Sequence, residues 1–202
     1  VDGRLQQFIP DIALGEEQPL DAKTKTLFDH LWITERDKQN EAYYAMIAMT
    51  DEPVDWAYEV WDETLANLTH ADNHNRAIAA QLLSGLAKSD PEKRMLKDFP
   101  ALFAVAKDER FVTARHTLQS LWKVGVVSLA YRELLVEALA ARFADCVDHK
   151  NYTLIRSDIL EALRKVFDVT GDETVRTTAL ALIDGVEDEK YRKKYAKMWK
   201  NA

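Results

Sequence analysis

The sequence predicts an all-α fold, a right-handed superhelix of stacked antiparallel helix pairs, and three observations carry that prediction. One signature occurs twice, 100 residues apart: Asp72, Arg76, Ala79, Leu83, Gly85 and Leu86 return as Asp172, Arg176, Ala179, Ile183, Gly185 and Val186. Self-similarity of this kind marks one supersecondary unit that is stacked several times. From Asp21 onward apolar residues recur at the helical period, and the connections between the periodic stretches are short, which makes neighbouring helices antiparallel. Finally, 6 Gly and 5 Pro in 202 residues are too few for an all-β fold built on tight turns.

Residues 1–20 show no periodicity and carry Pro10, Gly15 and Pro19, so they read as an irregular arm ahead of a single helical domain over 21–202. Leu27, Phe28, Leu31 and Trp32 lie on one face of a first helix. A second spans Thr34 to Met49 with Tyr43, Met46 and Ile47 facing inward. Asp51-Glu52-Pro53 is expected to start a third helix, because proline is tolerated in a first turn. That helix buries Trp56, Val60, Trp61, Leu65 and Leu68. His70 to Asn75 form a turn in which Asp72 caps the next helix by accepting from its free amides. Ala79, Leu82, Leu83 and Leu86 make that helix's inner stripe.

Ser89-Asp90-Pro91 resets the chain. A helix from Phe99 to Lys107 follows, then Asp108-Glu109 and another helix through Trp122. In this member Phe111, Ala114, Leu118 and Leu121 match the signature, with Phe in place of Arg. Leu129 to Cys146 and Tyr152 to Phe167 are the next two helices. Thr170-Gly171-Asp172 pairs a C-cap glycine with an N-cap aspartate. The signature helix then recurs from Thr174 to Val186, and a last helix, within about 188–200, closes the chain.

Leu160 to Val186 holds a whole unit. Leu160-Glu161-Ala162-Leu163 and Val166 read as its first helix, Thr170 to Thr174 as the turn, and Val175 to Ile183 as the second helix. In these residues the chain resembles HEAT repeats, with weaker copies over Trp56 to Leu86 and Pro100 to Leu121. The resemblance covers residues 53–200. It implies a helical solenoid, an architecture that hosts scaffolds, transport factors and a few enzymes, so the fold does not fix the function. In such units Arg76 and Arg176 are expected to pair with an Asp of a neighbouring turn, and Ala79 and Ala179 to allow close helix approach.

Charge is divided unevenly along the chain. The net charge of −7 combines 10 Lys/Arg against 19 Asp/Glu in residues 1–100 with 17 against 15 in the remainder. No Lys or Arg occurs between Lys38 and Arg76, a stretch that holds Glu41, Asp51, Glu52, Asp55, Glu59, Asp62, Glu63 and Asp72. A polyanion is repelled there and a cationic partner attracted. The same stretch carries Tyr43, Tyr44, Trp56, Tyr58 and Trp61. Aromatic rings offer contact area and cation–π platforms. One reading is a face for a basic protein or peptide segment, built from Asp55, Trp56, Glu59, Asp62 and Glu63. The other is a core of aromatics under a solvated acidic surface, which the spacing of Trp56 with Val60 and of Trp61 with Leu65 supports.

Other clusters point less sharply. His70, Asp72 and His74 place three potential metal ligands within five residues, but Asp72 already has a capping role and Cys146, Asp148 and His149 are distant in sequence; no metal and no cofactor are expected. Lys190, Arg192, Lys193, Lys194, Lys197 and Lys200 alternate with Tyr191, Tyr195 and Trp199. Such a helix suits an anionic surface, or it is the polar terminal cap that a solenoid requires. Catalysis has little footing: no glycine-rich phosphate loop, no HExxH and no recognisable nucleophile arrangement is present. The rival reading is an enzyme. Ala71-Asp72-Asn73 through Leu83 is similar to a helix start of HEAT-like alkylpurine DNA glycosylases, which would place Arg76 near the active-site arginine. Here Trp56, Trp61 and Asp62 would have to replace a tryptophan-rich helix start, and the region is acidic where DNA needs Lys and Arg. Nucleic acid is therefore an unexpected partner.

One cysteine, Cys146, excludes an intramolecular disulfide framework and fits a reducing compartment, so a cytoplasmic location is expected. The glycosylation-type triplets at Asn67 and Asn151 are then chance. No apolar run is long enough to span a membrane. The start, Val1-Asp2-Gly3-Arg4, lacks a signal-peptide layout. It also lacks an initiator Met, so a further segment upstream is an expectation.

Overall fold

The computed structural model describes residues 20–200; the arm expected over residues 1–20 lies outside the described residues except for Leu20. Among the described residues every regular element is helical. Successive pairs are α1 (Ala22–His30) with α2 (Arg36–Met49), α3 (Ala57–Asn67) with α4 (Asn73–Leu86), and α5 (Met95–Val105) with α6 (Phe111–Ser120). A short α7 (Trp122–Gly125) precedes α8 (Leu129–Asp145), which pairs with α9 (Tyr152–Thr170), and α10 (Glu173–Asp184) pairs with α11 (Glu189–Met198).

The pairs stack in two layers. In one, α3 packs on α5, α5 on α8 and α8 on α10; in the other, α2 packs on α4, α4 on α6, α6 on α9 and α9 on α11. This is the arrangement of an all-α solenoid, in which each pair has an apolar face that only the next pair can cover. One core cluster runs the length of the stack, from Phe28 to Trp199. Its most enclosed member is α4, where Gln81 alone among Ala77 to Leu86 is not buried. Each of its leucines contributes on the order of 2 kcal/mol by leaving water.

Aspartates start four of the helices. Asp21, Asp72, Asp172 and Asp188 each accept from free amides at the beginning of α1, α4, α10 and α11. That satisfies donors a helix cannot satisfy itself. Gly171 ends α9 with a φ of 63°, a conformation that favours glycine because it has no Cβ to clash. The expected Thr170-Gly171-Asp172 junction is thus present.

Several helix boundaries differ from expectation, three of them with a clear structural reason. The third helix does not begin at Asp51-Glu52-Pro53 but at Ala57. The intervening loop is tied to the turn just after α4 instead: Val54 N donates to Ser89 Oγ at 2.8 Å, and Lys88 donates to the Asp51 carbonyl. The fifth starts at Met95 rather than Phe99, because the Asp90 carboxylate accepts from Arg94 N and Met95 N and so caps it early. The helix expected through Trp122 breaks at Leu121 into α6 and α7. The closing turn is tightly packed: a Cβ on Gly125 would lie 2.7 Å from Leu135 Cδ2.

Candidate functional site

The acidic stretch folds into the loop before α3 and α3 itself, and the amphipathic period of that helix sorts its residues. Trp61 is fully buried, Val60 nearly so, and Trp56 is 8% exposed, so these rings pack inward. Asp55, Glu59, Asp62 and Glu63 are exposed. Trp56 therefore supports the surface from beneath and does not offer its ring to a partner. Trp61 Nε1 donates to Asp98 Oδ2 at 2.9 Å, which fixes the indole against α5. Of the other aromatics in the stretch, Tyr44 is 71% exposed on α2, while Tyr43 donates its hydroxyl to Gln81 Oε1 at 2.8 Å.

The carboxylates of this face have few cations near them. Glu59 accepts from Leu20 N at 2.8 Å, a contact that fastens the entry of the chain onto α3. Arg94 approaches Asp62 to 3.9 Å, but it is drawn away by Glu92 at 3.0 Å and lies over the Tyr58 ring, 4.0 Å from its centre. Asp55 and Glu63 form no ion pair among the described residues. A group of like charges in water, with no neutralising neighbour, raises the local potential for cations.

Beneath the edge of this face sits a buried carboxylate that the sequence did not single out. Asp90, 7% exposed, accepts from Tyr58 Oη and Tyr131 Oη at 2.6 Å each, and from the Arg94 and Met95 amides at 2.9 and 2.7 Å. Burial pushes its carboxyl up, but the Tyr131 and Tyr58 hydroxyls and the two amides outweigh burial and hold it below the ordinary carboxylate value. Burial and the hydrogen bond to Asp90 push the Tyr58 phenol up to about 12, and the Tyr131 phenol rises for the same reasons. Asp90 thus links α3, α5 and α8, three neighbours in one layer.

The signature residues have structural duties. Arg76 forks onto Asp108, Nε to Oδ2 at 2.6 Å and Nη2 to Oδ1 at 2.9 Å, and its Nη1 donates to the His70 and Ala71 carbonyls. That is the expected pairing with an Asp of a neighbouring turn. Arg176 is the correction. It bonds Glu173 of its own helix at 3.1 Å, and Asp172 is engaged instead by Arg132 of α8 at 2.8 Å. In the member where Phe111 takes the signature position, Arg115 one turn later makes the fork, onto Asp158. Phe111 stacks on His149, ring centres 5.7 Å apart.

The remaining candidates resolve into local contacts. His70 Nδ1 accepts from Asp72 N, Asp72 caps α4 and meets Arg36, and the three residues do not face one another as ligands. Burial, then the charge of Arg36, pushes His74 below its ordinary value. No group of three or more His, Cys, Asp or Glu side chains among the described residues could hold a metal ion. Cys146 is buried at the end of α8, and burial pushes its thiol up. Tyr195 of α11 and Trp199 just after it are buried against Phe143 and Phe167, so the aromatic stripe docks on the preceding helices and the lysines face out. No described helix is long and apolar enough to cross a membrane.

The sequence anticipated the outward acids and inward tryptophans through their period. It missed Asp90, whose phenol donors come from 32 and 41 residues away. It also missed the buried Gln39, whose Nε2 donates to Asn75 Oδ1 at 2.9 Å between α2 and α4. Comparison with models of known protein families, with curated proteins and with solved structures returns no match.

Proposed function

We propose that the chain is a HEAT-like scaffold that binds a basic segment of a protein partner along α3 and the loop before it, and that it is not a catalyst. The observation that carries this reading is the exposed carboxylate group Asp55, Glu59, Asp62 and Glu63, set on a rigid base of buried Trp56 and Trp61 and approached by one arginine, Arg94. A Lys- or Arg-rich segment would replace the missing counter-charges. Preorganised backing lowers the ordering cost of such an encounter, and the electrostatic part of it falls as salt rises.

The glycosylase-like alternative draws no support from the geometry around Arg76. The guanidinium that would face a substrate is committed to Asp108 and to two carbonyls.

The test is a charge reversal, Asp55→Lys, Asp62→Lys and Glu63→Lys together, leaving Glu59 in place because it holds Leu20. Capture of basic proteins from a lysate and binding of a defined Lys/Arg-rich peptide are measured with the reversed and unaltered chains at moderate salt. Peptide binding should fall at least tenfold while the helical circular dichroism stays the same. Equal binding by the two proteins would remove α3 from consideration.

A further inference from the structure

In the layer of α2, α4, α6, α9 and α11 the arginine–aspartate rungs stop one unit short of the end, although Arg132 of α8 reaches Asp172 in the other layer. Arg36, Arg76 and Arg115 project from α2, α4 and α6 and reach Asp72, Asp108 and Asp158 in the following unit, at 3.0, 2.6 and 2.6 Å. The next helix in that layer, α9, carries Arg156 one turn in from its start, and the following unit presents Asp188 at the start of α11. This pair does not close. Both residues line a cavity of about 420 Å³, together with Tyr152, Glu187, Tyr191 and Tyr195.

Arg156 is held in position without a carboxylate. Its Nε donates to the Phe143 carbonyl at 3.0 Å, and its guanidinium carbon lies 4.5 Å from the centre of the Phe143 ring and 5.5 Å from that of Tyr152. The bond and the two ring contacts hold the fork in place, and its terminal nitrogens form no ion pair among the described residues. A fixed planar fork suits the two oxygens of a carboxylate. A plain anion does not suit the rest of the wall, because Glu187 and Asp188 would repel it. Asp188 spends one oxygen, Oδ1, on the Lys190 and Tyr191 amides at 2.9 and 3.3 Å, which leaves Oδ2 for a cation. The tyrosine rings supply apolar walls between these charges, and the volume is that of a site for a small molecule, whose pockets run from about 300 to 1,000 Å³.

We propose that this cavity binds an α-amino acid with a ring side chain, its carboxylate on Arg156, its ammonium at Asp188 and Glu187, and its ring between Tyr152 and Tyr191. The ligand would complete the open rung, joining α9 to the start of α11. This site is remote in sequence from α3 and stands or falls independently of the acidic face.

The experiment is calorimetric titration of the full chain with L-phenylalanine, L-tyrosine and L-tryptophan. Phenethylamine, which lacks the carboxylate, and 3-phenylpropionate, which lacks the amine, are titrated beside them. At least one amino acid should bind, and each analogue should bind at least about tenfold more weakly, since each loses a charge-assisted contact. Arg156→Gln should weaken the amino acid about tenfold or more and leave phenethylamine unchanged. Asp188→Asn, which keeps the helix cap, should weaken the amino acid and leave 3-phenylpropionate unchanged or bound more tightly. Absence of binding by all three amino acids at millimolar concentration would overturn the proposal, as would analogues that bind as well as phenylalanine. The analogue comparison uses the unaltered protein, so it decides the matter even if a variant fails to fold.

Discussion

The two copies of the signature share Asp, Arg, Ala and Gly and have different environments. Around Asp72 the Arg reaches out: Arg76 clamps Asp108 of the next unit with both partners largely hidden, 15% and 6% exposed at the side chain. Around Asp172 the Arg turns back onto its own helix at Glu173, with both side chains open to water. The glycines differ in the same sense. A Cβ on Gly85 would overlap the Thr50 hydroxyl and lie 2.8 Å from Thr50 Cβ, whereas one on Gly185 would meet nothing nearer than backbone oxygens at 3.6 Å. Only the capping Asp works alike in both, because a cap is satisfied within its own turn. The first copy has units on both sides. The second, carried by α10, has only α11 after it and lies in the other layer, on α8, so the unit expected over Leu160 to Val186 is out of step with the pairs α3–α4 and α5–α6. The cap is kept in both copies, as is the pairing of the Asp with an arginine of the preceding unit, whereas the reach of Arg76 into the next unit and the close packing of Gly85 are not.

Removing the arginines tests this most severely. Arg76→Ala strands a buried carboxylate, and loss of one partner of such a pair costs about 3–5 kcal/mol. Arg176→Ala removes an exposed intrahelical pair worth roughly 0.5 kcal/mol or less. Urea denaturation of the two variants should separate them by several-fold in lost stability, and equal losses would break the comparison. The glycines come next. Gly85→Ala forces Thr50 aside and should cost about 1–3 kcal/mol. At Gly185, where φ is −72°, alanine fits; the change should be neutral or stabilise by about 0.5–1 kcal/mol through the unfolded chain. Thermal midpoints that move the same way in both variants would contradict the packing argument.

The smallest effect belongs to the caps, where the copies should agree. Asp72→Ala and Asp172→Ala should each cost about 1 kcal/mol. The His74 amide and Arg36 hold Asp72 below the ordinary carboxylate value, and Thr174 and Arg132 do the same for Asp172. A lowered folded pKa means that the unfolded chain takes up the proton first. The contribution is therefore complete above the unfolded value near 3.8 and disappears as pH falls through the folded one. Stability measured from pH 6 down to 2 should show a shallower acid decline in either alanine variant than in the unaltered chain. An unchanged slope would mean that neither carboxylate is linked to folding.

Features confined to one turn were legible in the sequence. The caps at Asp72 and Asp172, the left-handed Gly171 and the inward tryptophans of α3 each follow from a few adjacent residues. The ladder was half legible, because the Arg is marked by the repeat but its carboxylate is not. Arg115 shows why: the unit with Phe111 at the signature position regains its fork one turn later, so spacing alone points to the wrong residue. Of the candidate face, the acids were visible as a run without Lys or Arg. Their backing was not, since Asp98 and Arg94 arrive from another unit. The distance in sequence between partners decided what could be read.

Repeat arrays ordinarily grow or shrink by whole units, because each one touches only its neighbours. Asp90 limits that freedom here. Its carboxylate is shared by Tyr58 of α3, the first amides of α5 and Tyr131 of α8, so three consecutive pairs own one charge in common. Excising the α5–α6 pair would remove the aspartate's amide partners, and inserting a pair between α5 and α8 would pull the Tyr131 hydroxyl off a buried anion. The middle of this chain is therefore indivisible, and variation in length is confined to its two ends.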